Sequence, residues 1–214
     1  MSDLKLVLVD PEPALCAAWH KYFDDLPNVE IVNSYFEQLA EFDCMVSAAN
    51  SFGLMDGGVD LAIIRYFGDG LMKRVQERII EEYLGEQPVG TSIVVETGHP
   101  KHPYIAHTPT MRVPMEIART DNVYLAMWAL LIAVRKHNQN KQPLIKTLAC
   151  PGLGTATGKV PVNEAARQMA LAYTHFLKPP RYIDWRFAGD RQEKIRYGGD
   201  MGLHFPPDLE RVPE

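Results

Sequence analysis

Along most of its length the chain alternates between short apolar runs of strand length and longer stretches with apolar residues three or four apart. That alternation describes an α/β/α layered sheet, partly parallel or mixed, because each helix buries one face against the strands it connects. Leu4–Val9 reads as a strand stopped by Pro11 and Pro13, which lack the N–H that a strand or helix interior needs. Ala14–Asp24 follows as a helix with Leu15, Trp19, Tyr22 and Phe23 on one side. Val29–Val32 and Cys44–Ala48 are the next strands. Val59, Ile63 and Phe67 keep a helical period that Gly68-Asp69-Gly70 interrupts and Leu71, Val75 and Ile79 resume, which predicts two consecutive helices. Ser92–Thr97 and Tyr104–His107 read as neighbouring strands joined through Gly98-His99-Pro100. Asp121 is placed to cap an apolar helix running to about His137, Leu144–Cys150 is the last strand, and Asn163 is expected to cap a final helix. That last helix carries Met169, Tyr173, Phe176 and Leu177 on one face.

Composition excludes several classes. The 214 residues hold 22 Lys+Arg against 27 Asp+Glu, so the chain lacks the basic face that general phosphate-backbone binding needs, and no nucleic-acid partner is expected. The longest apolar stretch, Val123 to Val134, is too short to span a bilayer, so no membrane partner is expected. Cys16, Cys44 and Cys150 are widely spaced and odd in number, and no secretory leader is visible at the N-terminus. Both observations suit a reducing, cytoplasmic setting. His99, His102 and His107 have metal-ligand chemistry. A hairpin, however, puts His107 on a strand and the other two at the turn, so neither a metal nor a cofactor is expected. None of these features sets an oligomeric state.

Two glycine-rich loops carry the chemistry. One runs from Ser47 through Asn50 and Gly57-Gly58 to Ile63, the other from Pro151 through Gly154 and Gly158 to Pro161. Each follows an apolar strand and enters a predicted helix, the position where open α/β sheets bind ligands. Glycine lets the backbone approach a ligand and turn consecutive N–H groups toward one phosphate, so two such loops suit a diphosphate. Neither loop has the spacing of a P-loop or a dinucleotide fingerprint. A plain turn with a helix cap explains either one alone; two at equivalent places point to a ligand site.

The string Cys44-Met45-Val46-Ser47-Ala48-Ala49-Asn50, followed after six residues by Gly57-Gly58-Val59-Asp60, resembles the macrodomain signature. Ile105-Ala106-His107 resembles the family's strand before a turn, and Pro151 to Pro161 is similar to its second phosphate loop. The resemblance covers about residues 42–177. It implies a macrodomain-like three-layer α/β/α fold with a mixed central sheet over residues 1–177, and leaves 178–214 as a C-terminal extension packed on that domain. It also implies binding of ADP-ribose or an ADP-ribosylated protein, and in some members hydrolysis of ADP-ribosyl or O-acetyl-ADP-ribose linkages. By position, Asn50 would contact the distal ribose. Ala49, Gly57, Gly58 and Val59 would line the first diphosphate loop, and Gly154, Thr155, Ala156, Thr157 and Gly158 the second. Asp60 matches the carboxylate that orients water in hydrolytic members, so Asn50 and Asp60 are the catalytic candidates. A non-catalytic ADP-ribose or nucleotide reader, and a phage- or assembly-related structural module, are the alternatives.

The chain departs from the family pattern in three places. Ser34-Tyr35-Phe36-Glu37 stands where an adenine-binding Asp is usual, leaving Glu37, a backbone carbonyl, or stacking on Tyr35 or Phe36 to hold the base. Asp56 stands where glycine is common and sets a negative charge near the phosphates. Gly158 stands near the place of an aromatic often found beside the distal ribose. The stretch after Lys178 shows no clean period but many aromatics, and Trp185 or Phe187 is the candidate to cover the adenine side.

Overall fold

The computed structural model describes residues 4–140 and 142–195. Six strands, β1 (Lys5–Val9), β2 (Val29–Val32), β3 (Cys44–Asn50), β4 (Ile93–Glu96), β5 (Tyr104–Met111) and β6 (Thr147–Cys150), form one sheet in the order β2-β1-β6-β3-β5-β4. All neighbours are parallel except β4, which runs antiparallel to β5 through the expected turn. Six helices complete the described chain: α1 (Pro13–Phe23), α2 (Gly58–Phe67), α3 (Gly70–Tyr83), α4 (Asn122–Asn140), α5 (Val162–Leu177) and α6 (Trp185–Ile195). Helices α1, α4 and α5 cover one face of the sheet, and α2 and α3 cover the other. This is the three-layer α/β/α arrangement with a mixed sheet.

The inner strands are buried on both faces, edge strands β2 and β4 less so, and their side chains alternate between two cores. On β5, Tyr104 and Ala106 join the cluster built on Trp19, Phe23, Met127 and Leu130, while Ile105 joins Met45, Ile63, Val75 and Ile79 on the far side. Each fully buried aliphatic side chain contributes about 1.5–3 kcal/mol, so two such cores hold the sheet from both sides. Gln168, buried on α5, accepts from the Tyr124 N–H and donates to the Thr120 carbonyl, which fixes α4 against α5. Arg74 donates to the carbonyls of Glu96 and Thr97 and ties α3 to the end of β4.

Several boundaries differ from the sequence reading. Strand β5 runs on to Met111 although Pro109 lies within it. Its β4 partner ends opposite His107, so residue 109 has no ladder bond to lose on that side, and the β3 register shifts there. Asn163 does not cap the final helix; the cap is Pro161 and Asn163 lies inside the first turn. Residues 185–195 form α6, where no helical period was expected. Its packing explains this, since the helix is held by cationic contacts rather than by an apolar stripe. The Arg191 guanidinium lies 4.4 Å from the Trp128 ring centroid and 5.6 Å from that of Phe187, and its Nε donates to the Tyr124 hydroxyl at 3.1 Å. Arg167 donates to the carbonyls of Lys194 and Ile195 at the end of α6. Residues 196–214, where the rest of the tail falls, lie outside the described residues.

Arg191→Ala is expected to speed amide exchange across 185–195 by about 5- to 30-fold, as loss of a cation–π contact of roughly 1–2 kcal/mol requires. The sheet core, separately packed, should keep its protection. Hydrogen-exchange mass spectrometry reads both, and unchanged exchange in α6 would contradict the contact's role.

Candidate functional site

Strands β3 and β6 are neighbours, yet the chain leaves β3 for α2 on one face and β6 for α5 on the other. Parallel strands whose connections diverge in this way leave a crevice beyond their carboxyl ends. Here it is a cleft of about 860 Å³. Ala49, Asn50, Gly57, Gly58, Val59 and Asp60 line one side, and Gly154, Thr155, Ala156, Thr157 and Gly158 line the other. The fold therefore brings these residues of the two loops to one cleft.

The first loop ends at the N-terminus of α2, whose cap is Gly57 and whose first residue, Gly58, has φ of 55°. A side chain at Gly58 would have room but would strain the backbone. The N–H groups of Gly58, Val59 and Asp60 belong to a first helical turn and have no intrahelical acceptor, and the macrodipole adds positive potential. The second loop folds its carbonyls inward: Gly154 accepts from Val160, Ala156 from Lys159, and Gly158 from Ile117. Among the described residues, no acceptor meets the N–H groups of Gly154 through Gly158. Some of the glycine here serves packing. A Cβ at Gly158 would lie 2.5 Å from the Gly154 carbonyl oxygen, and one at Gly152 would lie 2.5 Å from Leu15.

The Asn50 side chain is engaged within its own loop. Its Oδ1 accepts from the Phe52 and Leu54 N–H groups at 3.0 and 3.3 Å, and its Nδ2 donates to the Leu54 carbonyl at 2.7 Å. The side chain braces the first loop as an Asx turn, with one amide hydrogen beyond these bonds. Asp60 is buried on the first turn of α2, and Ser47 on β3 donates its hydroxyl to Asp60 Oδ1 at 2.7 Å. Burial pushes the Asp60 carboxyl up to about 6. The Ser47 hydrogen bond opposes that rise, and the charge of Asp56 adds to it.

The sequence reading missed three supports. Ser47 is one. Asp10 is another: its carboxylate accepts from the N–H groups of Glu12 and Gly152, so the end of β1 steadies the second loop. The third is the wall formed by Thr110, Met111 and Pro114 beyond the expected end of β5. An Asp at a strand's carboxyl end before a proline-opened helix was the legible signal for Asp10. Tyr35, Phe36 and Glu37 also line the cleft. Phe36 is buried and packs edge-on against Phe42 and Tyr66, whereas Tyr35 is 59% exposed, so a stacking surface falls to Tyr35. Trp185 and Phe187 do not line the cleft, because α6 carries them onto the far side of α4 and α5.

The histidines do not converge. His99 and His102 stack on each other beside Phe42, while buried His107 donates from Nδ1 to Gln87 Oε1 at 2.7 Å, its basicity lowered by burial to about 3. Among the described residues no group of His, Cys, Asp or Glu is placed to hold a metal ion. The three cysteines are buried free thiols, and no described helix is long and apolar enough to cross a membrane.

A nucleotide-sized crevice at the switch point of a mixed sheet, walled by two glycine loops, defines a class. The family model described as Macro domain matches residues 46–169, and the chain belongs to that family. An uncharacterized protein of Aquifex aeolicus is 34% identical over 127 residues, covering 59% of this chain and 70% of that protein. The macrodomain of Mycobacterium tuberculosis DarG superposes with a TM-score of 0.55 at 21% identity, over 66% of this chain and 88% of that one. A variant of the Oceanobacillus iheyensis macrodomain, solved with ADPR, gives 0.57 at 20% identity, over 90% and 92%.

The Asp60 environment has a cost that can be measured. An unfolded chain ionises this carboxyl near 3.8 and the folded protein near 6. Between those values the folded state keeps a proton that the unfolded state has lost, so stability falls as pH rises through the window and stays lower above it. Asp60→Asn removes the penalty and keeps an oxygen for Ser47. The variant is expected to match the parent at pH 3.5 and to exceed it by ~3 kcal/mol above pH 7 in urea unfolding. A difference independent of pH would contradict the raised carboxyl.

Proposed function

We propose that the cleft binds ADP-ribose. One observation carries this reading: Gly57–Asp60 and Gly154–Gly158 line one cleft, and their main-chain N–H groups have no protein acceptors among the described residues. A diphosphate between the loops satisfies both sets, with the base toward Tyr35 and the distal ribose toward Asn50 and Asp60. The cleft volume falls within the range of small-molecule sites. The ADPR-bound macrodomain of like fold supports the choice of ligand. The reading places the binding unit within residues 1–177 and takes 178–214 as a C-terminal extension packed on it; within the described part of that extension, α6 packs on α5. Calorimetry is expected to show ADP-ribose binding more tightly than AMP or NAD. Absence of heat with any of the three at millimolar ligand would overturn the assignment.

We further propose that Asp60 serves hydrolysis of an ADP-ribosyl ester. Ser47 engages one carboxylate oxygen, which orients the group and leaves the other to position a water against the anomeric carbon. Cleavage there builds oxocarbenium character that an ionised carboxylate stabilises. Release of ADP-ribose from a substrate modified on acidic side chains is expected to rise with pH through about 6, as Asp60 ionises. Asp60→Ala is expected to slow release by ~100-fold or more while binding persists. Equal release by both proteins would remove Asp60 from the mechanism. Binding without release by either would make the domain a reader.

A further inference from the structure

Five carboxylates line the cleft, from Asp10, Glu12, Glu37, Asp56 and Asp60, and none of its lining residues is Lys, Arg or His. Three of the five are committed to the protein. Asp10 accepts from two main-chain N–H groups, Glu12 accepts from the Ala14 N–H as the cap of α1, and Asp60 accepts from Ser47. Asp56 has no hydrogen bond or ion pair among the described residues. It stands immediately before the Gly57-Gly58 pair that opens α2, and its charge reaches Asp60, whose carboxyl it helps to push up. Among the lining residues, the donors that can meet an anion are therefore main-chain N–H groups of the two loops. Asp56, which is exposed, and buried Asp60 both line the cleft within Coulombic reach of each other, and no lining cation offsets them.

We propose that Asp56 is a specificity-determining residue that makes the cleft reject ADP-ribose bearing a phosphate on its distal ribose, in favour of ADP-ribose whose distal end is uncharged or joined to a neutral or cationic group. This rests on the reading that the cleft binds ADP-ribose with its distal ribose toward Asp60. The diphosphate sits between the two donor arrays and gains from both. A terminal phosphate monoester adds a further charge of about −1.5 to −2 near neutral pH and reaches past the arrays into the field of Asp56 and Asp60. A hydroxyl, an ester or a guanidinium at the same place meets no such repulsion. The site is thus built for the unmodified distal ribose or for its protein conjugates, and against the phosphorylated metabolite.

The test is calorimetric titration of ADP-ribose and ADP-ribose 1″-phosphate into the full chain, Asp56→Asn and Glu81→Gln. Glu81 is exposed on α3 and does not line the cleft, so its variant removes the same charge elsewhere. The parent is expected to bind the phosphorylated ligand about tenfold or more weakly than ADP-ribose, with the gap narrowing as salt rises. Asp56→Asn is expected to close most of that gap while holding or tightening ADP-ribose, and Glu81→Gln to leave the ratio as in the parent. Equal affinity of the parent for both ligands overturns the proposal, as does a ratio unchanged in Asp56→Asn or shifted equally by Glu81→Gln. Failure of the parent to bind ADP-ribose at all overturns the underlying reading instead, so the two failures are distinguishable.

Discussion

The divergence of two neighbouring strand connections is the constraint on which everything else rests. Strand β3 feeds a helix on one face of the sheet and β6 feeds a helix on the other, and the gap between their exits cannot be filled by either. Main-chain groups at the mouth of such a gap lack partners in the sheet, and the glycines at Gly58 and Gly154, both at positive φ, keep side chains from closing over them. The cleft is therefore a product of topology first. Side chains then support it: Asp10 reaches from β1 to the second loop and Asn50 folds the first loop onto itself.

Much of this was legible because the elements are strongly patterned. The alternation of runs and periods gave the layers, and the two loops after apolar strands gave the cleft, since chain order alone places them beyond strand ends. What stayed hidden depended on partners distant in sequence. Nothing near Pro109 signals that β4 stops short of it, so β5 seemed to end at His107. Helix α6 has no apolar stripe because its anchors are Arg191 on Trp128 and Tyr124, contacts that no local period reports. Ser47 carried no visible role until β3 set it against α2.

Asn50 and Asp60 show how a motif residue can divide its chemistry between fold and ligand. Most of the Asn50 amide is spent on the loop, so its replacement disturbs the first wall as well as any contact to ribose. Asp60 is the reverse case. The fold gains little from an acidic side chain buried on α2, where burial outweighs the Ser47 hydroxyl and raises the carboxyl. A residue that costs the folded state stability and yet faces a ligand cleft is the kind that function retains.

The same division governs the electrostatics of the whole cleft. An anionic ligand could be drawn in by lysine or arginine, whose charge acts over a Debye length and does not discriminate among anions. The donors this cleft offers are main-chain N–H groups instead, which act within hydrogen-bond reach and only along the direction each one points. Free carboxylates can then stand nearby without cancelling the attraction, as Asp56 does. Short-range attraction set in a longer-range repulsive field rewards an anion that sits between the loops and penalises one displaced from them. An acidic cleft is therefore compatible with a diphosphate ligand, and that field makes the position of each added negative charge decide whether a ligand fits.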